Sequence, residues 1–373
     1  MKIGVPREIK SQEHRVGLVP ASVKEMIAAG HEVFVETNAG AGIGYDDKSY
    51  KEAGAHILGE AKAVFDIADM IIKVKEPQAQ ECKMLREGQI LFTYLHLAPD
   101  PEQAKGLVNS GCVAIAYETV LGPNGKGLPL LAPMSEVAGR LSTQVGAHYL
   151  QKHIGGLGRL IGGVPGVKPA DVLVLGGGVA GFNAARMAAG LEANVTILER
   201  SPDKIRELDD YFAGRAQILY STTDTLEKYA AEADIVIGAV LIPGASAPKL
   251  LNRDILKTMN PGSVVVDIAI DQGGCFETSK ATTHNDPIYT VEGVTHYCVA
   301  NMPGAVPLTS ALALNNAVLP YALRLANKGW KAALAEDPNF REGLNVCFGK
   351  ITHKGVAESL KMDYIENPPE MAA

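Results

Sequence analysis

The stretch "DVLVLGGGVAGFNAARMAAGLEANVTILE", residues 171–199, decides the fold. A short apolar run, DVLVL, stops at a glycine cluster. An alanine-rich segment of helical spacing follows, and a second apolar run, NVTILE, closes on an acid. That is a strand–turn–helix–strand unit, and the helix crossover makes its two strands parallel. Gly176, Gly178 and Gly181 fall as G-x-G-x-x-G. Glycines at these places serve the tight turn, the close approach of backbone to a pyrophosphate, and close packing of helix on strand. The helix begins with Val179 and Ala180, and its unpaired N–H groups face the phosphates. Glu199 ends the second strand, where a carboxylate accepts from both ribose hydroxyls and repels a 2′-phosphate. The unit therefore calls for a dinucleotide, NAD rather than NADP, with the neighbouring Arg200 as the one contrary charge.

Downstream, "DIVIGAVLIPG" and "SVVVDIAIDQGG" read as two more strands of the same sheet. Asp267 and Asp271 are four residues apart, which on an extended run puts both on one face. Asp271 precedes Gly273 and Gly274 at the strand end, where ligands of parallel sheets bind or where an aspartate caps a turn. "CVANMPG" (298–304) is a further strand end, with Asn301 and Met302 near that edge. Upstream, Pro133 and Ser135 mark a helix start, with a long helix over 136–153.

The first third has no glycine motif. It alternates strand-like runs, "KIGVP" (2–6), "EVFVET" (32–37), "MIIKVKEP" (70–77), "QILFTYLHL" (89–97) and "CVAIAYETV" (112–120), with helical segments, again a parallel sheet covered on both faces. Polar residues collect at the strand ends: Arg15, Lys73, Lys75, Tyr94, His96 and Glu118. Each has a plain structural reading, surface charge for Arg15 and Lys75 and a core position for Tyr94 and His96. Glu118 reads as structural. Their convergence on one edge is what packing alone does not explain. A broad apolar helix over 307–329 is expected to return to this lobe. The fold class is thus α/β, two Rossmann-like doubly wound parallel-sheet domains separated by a cleft: residues 1–128 with 306–373 for the substrate, and 129–305 for NAD.

The totals agree. The chain has 373 residues, 47% apolar and 21% charged, with a net charge of −7, enough for two cores and unsuited to nucleic acid or anionic membranes. Five scattered cysteines without a C-x-x-C suggest neither zinc nor disulfides, and no metal site is expected. "MKIGVPREIK" goes straight into a strand without a signal-peptide core, and no apolar run is long enough to span a bilayer, so a cytoplasmic protein is expected.

Taken in order, "RVGLVP" (15–20), "KVKEP" (73–77), "TYLHLA" (93–98), "LGGGVAG" (175–181), "DIAIDQGG" (267–274) and "NMPGAVP" (301–307) resemble the alanine dehydrogenase family over nearly the whole chain. The resemblance implies reversible NAD-dependent deamination of L-alanine to pyruvate and ammonium, through an iminium and a carbinolamine, by a homohexamer whose domains close on the substrate. It implies Arg15 and Lys75 as carboxylate-binding groups, Met134 as side-chain pocket, and His96 and Asp271 as catalytic groups. Ser135, Glu199, Lys204, Ser221, Val240, Leu241, Ile268, Val299 and Met302 match cofactor contacts, and Asn301 and Tyr94 border the substrate. The rivals are the NAD-binding component of a proton-translocating transhydrogenase, an opine- or saccharopine-type dehydrogenase, and a non-catalytic NAD sensor.

Overall fold

The computed structural model describes residues 1–240, 248–366 and 368–371. The chain divides into two compact units, Met1–Met134 with Val306–Ala373, and Ser135–Ala305. In chain order the strands of the first unit are β1 (Lys2–Val5), β2 (Glu32–Glu36), β3 (His56–Leu58), β4 (Met70–Ile72), β5 (Ile90–Thr93) and β6 (Val113–Ala116). The second unit holds β7 (Asp171–Leu175), β8 (Asn194–Glu199), β9 (Gln217–Tyr220), β10 (Ile235–Gly238), β11 (Val264–Asp267), β12 (Ile288–Val291) and β13 (Val294–Tyr297). The tail returns β14 (Leu344–Cys347) and β15 (Lys350–Ile351) to the first unit.

The two sheets run β15-β14-β6-β5-β4-β1-β2-β3 and β12-β13-β11-β10-β7-β8-β9. Each starts near its centre, winds outward to one edge, then returns to wind the other way. The order therefore reverses between β1 and β4 in one sheet and between β7 and β10 in the other, the places where a crevice opens above the strand ends. The central strands are apolar on both faces. Ile71, Leu91 and Ala114 pack with Phe65 and Leu107 in the first unit, and Leu173, Val236 and Val265 with Leu256 and Phe276 in the second. Burying a large apolar side chain contributes about 1.5–3 kcal/mol, which is why short strands suffice.

The sheets are parallel-dominated rather than wholly parallel. β14 runs antiparallel to β6, β15 to β14, and β12 to β13. Both new hairpins turn on two left-handed residues, Glu292–Gly293 and Phe348–Gly349. That is the backbone of a type I′ turn, made here with Glu and Phe in place of the usual Asn or Asp. The edge strands β3 and β9 are short and half exposed, so their pattern is weak. The long helix near the middle of the chain spans Ala132–Tyr149, four residues ahead of the expected range at each end. In the C-terminal helix, Pro307–Ala335, the helical backbone is interrupted at Gly329.

Candidate active site

In the first unit the loop after β1 brings Arg15 inward. The guanidinium is buried, with Nε 2.7 Å from Glu13 Oε1, Nη2 2.5 Å from Glu13 Oε2, and Nη1 3.1 Å from Met134 Sδ. Burial opposes its charge, but Glu13 outweighs that and holds it above its ordinary pKa. The Nε–Nη2 edge is thus engaged by Glu13. Gly17 is what allows this loop to lie where it does: a Cβ there would sit 2.3 Å from the carbonyl oxygen of Ile72, the last residue of β4.

After β4 the chain presents Lys73 and Lys75 in opposite roles. Lys73 is fully enclosed between Glu8 and Glu81. Lys75 has its ammonium 3.4 Å from Glu76 Oε2, and Glu76 also pairs with Lys10. Burial pushes the Glu76 carboxyl up, but Lys75, Lys10 and His96 together pull it below its usual value. Lys75 and His96 therefore act on one carboxylate, and Arg15 acts on the Tyr94 hydroxyl. The strand-end groups of this unit share one region.

β5 ends at Thr93, so Tyr94 and His96 lie beyond the strand rather than within it. His96 takes a left-handed backbone, φ 48°. Glu118, in the turn Tyr117–Thr119, accepts the N–H groups of Leu95 and His96 at 3.1 and 2.6 Å, and its Oε1 is 3.9 Å from His96 Nδ1. Glu118 is structural, as its sequence context suggests: its carboxylate holds the chain turned at the imidazole. The rings of Tyr94 and His96 stack at 5.7 Å, tilted by 10°. The Tyr94 hydroxyl donates to Leu130 O at 2.6 Å, and burial holds it well above the ordinary phenol range, so it keeps its proton. The His96 side chain is 39% exposed, open to solvent.

In the second unit the glycine loop behaves as its spacing implies. Gly176 is left-handed, φ 92°. A Cβ on Gly181 would lie 1.8 Å from Gly176 O, so only glycine lets the helix Val179–Gly190 reach the strand. At Gly178, the residue before that helix, a Cβ would meet no atom within 4 Å, and no side chain caps the helix. Open space, uncapped N–H groups and an exposed Val179 make a cradle suited to a pyrophosphate. Glu199 stands beside it: Oε2 accepts from Gly177 N at 2.7 Å, and Oε1 from Arg200 N and Ser201 N at 2.7 and 2.9 Å. The residues present fit a dinucleotide. Lys204 pairs with Glu207 at 2.6 Å, and Ser221 N donates to Glu199 O at 2.9 Å. Ser135 and Ala180 are half-buried, and Val240 borders Gly176. Leu241 lies outside the described residues.

Asp267 and Asp271 do not share a strand face. β11 ends at Asp267 and the chain then enters the turn Ile268–Gln272. Asp271 is exposed at the end of that turn. Asp267 is buried and accepts from Ala269 N, Cys275 N and Ser279 Oγ at 3.1, 2.8 and 2.5 Å. It ties down the loop that carries Ile268 and Asp271. Val299 and Met302 are buried, and the His284 ring donates to Asn301 O at 3.1 Å. Among the described residues no group of three or more His, Cys, Asp or Glu is placed to hold a metal ion, and no helix is long and apolar enough to cross a membrane.

Residues 4–138 match the family described as Alanine dehydrogenase/PNT, N-terminal domain, and residues 142–354 the one described as Alanine dehydrogenase/PNT, C-terminal domain. The chain is 56% identical over 366 residues to an alanine dehydrogenase of Halomonas elongata, covering 98% of each chain. It is 56% identical over 365 residues to an alanine dehydrogenase 2 of Staphylococcus aureus, again over 98% of each. A solved L-alanine dehydrogenase superposes with a TM-score of 0.93 at 50% identity, over 97% of this chain and 99% of that one. A transhydrogenase from Sinorhizobium meliloti superposes at 0.81 with 26% identity, over 95% and 99%.

Proposed function

This chain belongs to the alanine dehydrogenase/PNT family, and from that premise we propose that it catalyses reversible NAD-dependent oxidative deamination of L-alanine to pyruvate and ammonium. The observation that carries the reading is 56% identity to curated alanine dehydrogenases along 98% of the chain. The geometry supports it from both units.

NAD, when bound, accepts the hydride lost from the amino acid Cα. Gly178 and the helix N-terminus would hold its pyrophosphate and Glu199 its ribose, with Ser135, Lys204, Ser221, Val240, Ile268, Val299 and Met302 as further contacts. Arg15 and Lys75 supply the positive charge that holds the substrate carboxylate. Glu13 braces the Nε–Nη2 edge of Arg15. Met134 lies against Nη1 and borders the substrate methyl group.

Loss of hydride leaves an iminium, water adds to give a carbinolamine, and its collapse releases ammonia. These steps need a group that takes and returns protons near neutral pH, a role an imidazole suits. His96 fills it, held by Glu118 and stacked on Tyr94. Tyr94 keeps its proton and shapes the site. Asp271 orients water or relays a proton. A homohexamer in the cytoplasm completes the proposal on family grounds, with small molecules rather than nucleic acid or membrane as partners.

The test offers L-alanine, serine, glutamate and lysine in parallel with NAD, then pyruvate plus ammonium with NADH. The reading expects turnover with alanine above the others, and the reverse reaction. Preference for lysine or glutamate would favour an opine- or saccharopine-type enzyme. NADH binding without turnover of any of them would favour a sensor or a transhydrogenase component.

A further inference from the structure

Lys73 follows β4 and has no exposed surface. An ammonium so enclosed keeps its charge only with close partners. They are Glu8 Oε2 at 3.0 Å and Glu81 Oε1 at 2.7 Å, and the two carboxylates hold the ammonium above its ordinary pKa in spite of burial. Each carboxylate has a second task. The other oxygen of Glu8 accepts Val74 N at 2.7 Å, and that of Glu81 accepts Gln78 N at 2.8 Å. Val74 and Gln78 bracket the short segment that carries Lys75. Glu8 belongs to the loop that runs on to Arg15.

β1 and β4 are neighbours at the reversal of strand order. The two loops that leave them carry the two proposed carboxylate-holding cations, and Lys73 joins those loops. Gly17 supplies a second point of close approach, its missing side chain leaving room for Ile72 O. An apolar cluster of equal volume would serve stability as well as a buried ion cluster does. What the charges add is directional: Glu8 accepts Lys73 Nζ and Val74 N, one on each oxygen, while Glu81 accepts Gln78 N on one oxygen and meets Lys73 as an ion pair on the other.

We propose that Lys73, with Glu8 and Glu81, is a positioning group that sets the spacing of Arg15 and Lys75 and so the affinity for the substrate carboxylate. The inference rests on the reading of Arg15 and Lys75 as that carboxylate's partners.

Two variants of the full-length enzyme test it. Lys73→Met removes a positive charge, and Glu8→Gln removes a negative one. A cluster acting only through its field would move the KM for pyruvate in opposite directions, up for K73M and down for E8Q. A positioning cluster raises KM for pyruvate and L-alanine in both, by about tenfold or more, because small displacements of binding groups are costly. The dissociation constant for NADH stays at the wild-type value in both. Opposite shifts, or an unchanged KM in a folded variant, would overturn the proposal. If K73M does not fold, E8Q decides alone: a raised KM supports positioning, and an unchanged or lowered KM refutes it. Absence of alanine turnover in the unmodified enzyme would overturn the functional reading, and this inference with it.

Discussion

Gly178→Ala separates the fold from the cofactor cradle. Gly178 has φ −65° and ψ −171°, a backbone that any residue adopts. A methyl group there meets no protein atom within 4 Å. The variant is therefore expected to fold normally, and the loss of glycine's freedom in the unfolded chain stabilises it by about 0.4–1 kcal/mol. A pyrophosphate lying against this backbone would meet the added methyl. Overpacking costs about 1–3 kcal/mol, which lowers affinity by roughly five- to 150-fold. Gly181→Ala is the control in the opposite sense. Its Cβ would stand 1.8 Å from Gly176 O, so the helix must move off the strand and the fold itself weakens. Thermal unfolding and NADH fluorescence titration, run on both variants, read the two effects apart. G178A that binds NADH as tightly as wild type, or that melts as early as G181A, would refute the assignment of this loop.

Glu199→Gln keeps the hydrogen bond to Gly177 N but removes the charge. The ratio of NADP to NAD affinity should rise by about tenfold, the size of one lost charge contact, as competitive titration would show. Glu118→Gln weakens the hold on the left-handed turn at His96. Its kcat should fall by about tenfold or more, since hydrogen bonds to a charged acceptor are worth about 1.5–3 kcal/mol, with NADH affinity unchanged. Glu76 gives a pH signature: burial raises it, but Lys75, Lys10 and His96 leave its folded-state pKa below the ordinary value of 4.5. A depressed carboxylate stabilises the fold above its unfolded pKa, and this is lost as pH falls through the folded value. Chemical denaturation should find Glu76→Gln less stable than wild type at neutral pH, with the difference closing below about pH 4.5, the unfolded-state range.

The NAD lobe was legible because its signal is local. Gly176, Gly178, Gly181 and Glu199 sit within one strand–helix–strand unit, and each glycine answers to a contact a side chain would block. The first lobe was legible at its strand ends, where Arg15, Lys75, Tyr94 and His96 stood out from apolar runs. What those residues lean on was not. Glu118 comes from another segment than His96, and Glu8 from another than Lys73; even Glu13, two residues from Arg15, is not marked as its partner, because nothing in a run of residues says which carboxylate meets which cation. Lys73 and Lys75 look alike in the sequence, yet one is sealed between Glu8 and Glu81 and the other pairs with Glu76. The extended reading of Asp267–Asp271 failed because Asp267, by accepting Ala269 N, turns the chain out of the strand. β14 escaped because its partner, β6, lies far back in the sequence, and β15, only two residues long, pairs with β14 in turn.

The most direct measurement follows the hydrogen on the substrate carbon. The enzyme is incubated with NAD and L-alanine deuterated at Cα, and NADH and pyruvate are analysed together by mass spectrometry. The account predicts deuterium in the NADH and one pyruvate formed for each NADH. NADH without deuterium, or pyruvate formed without NADH, would contradict it.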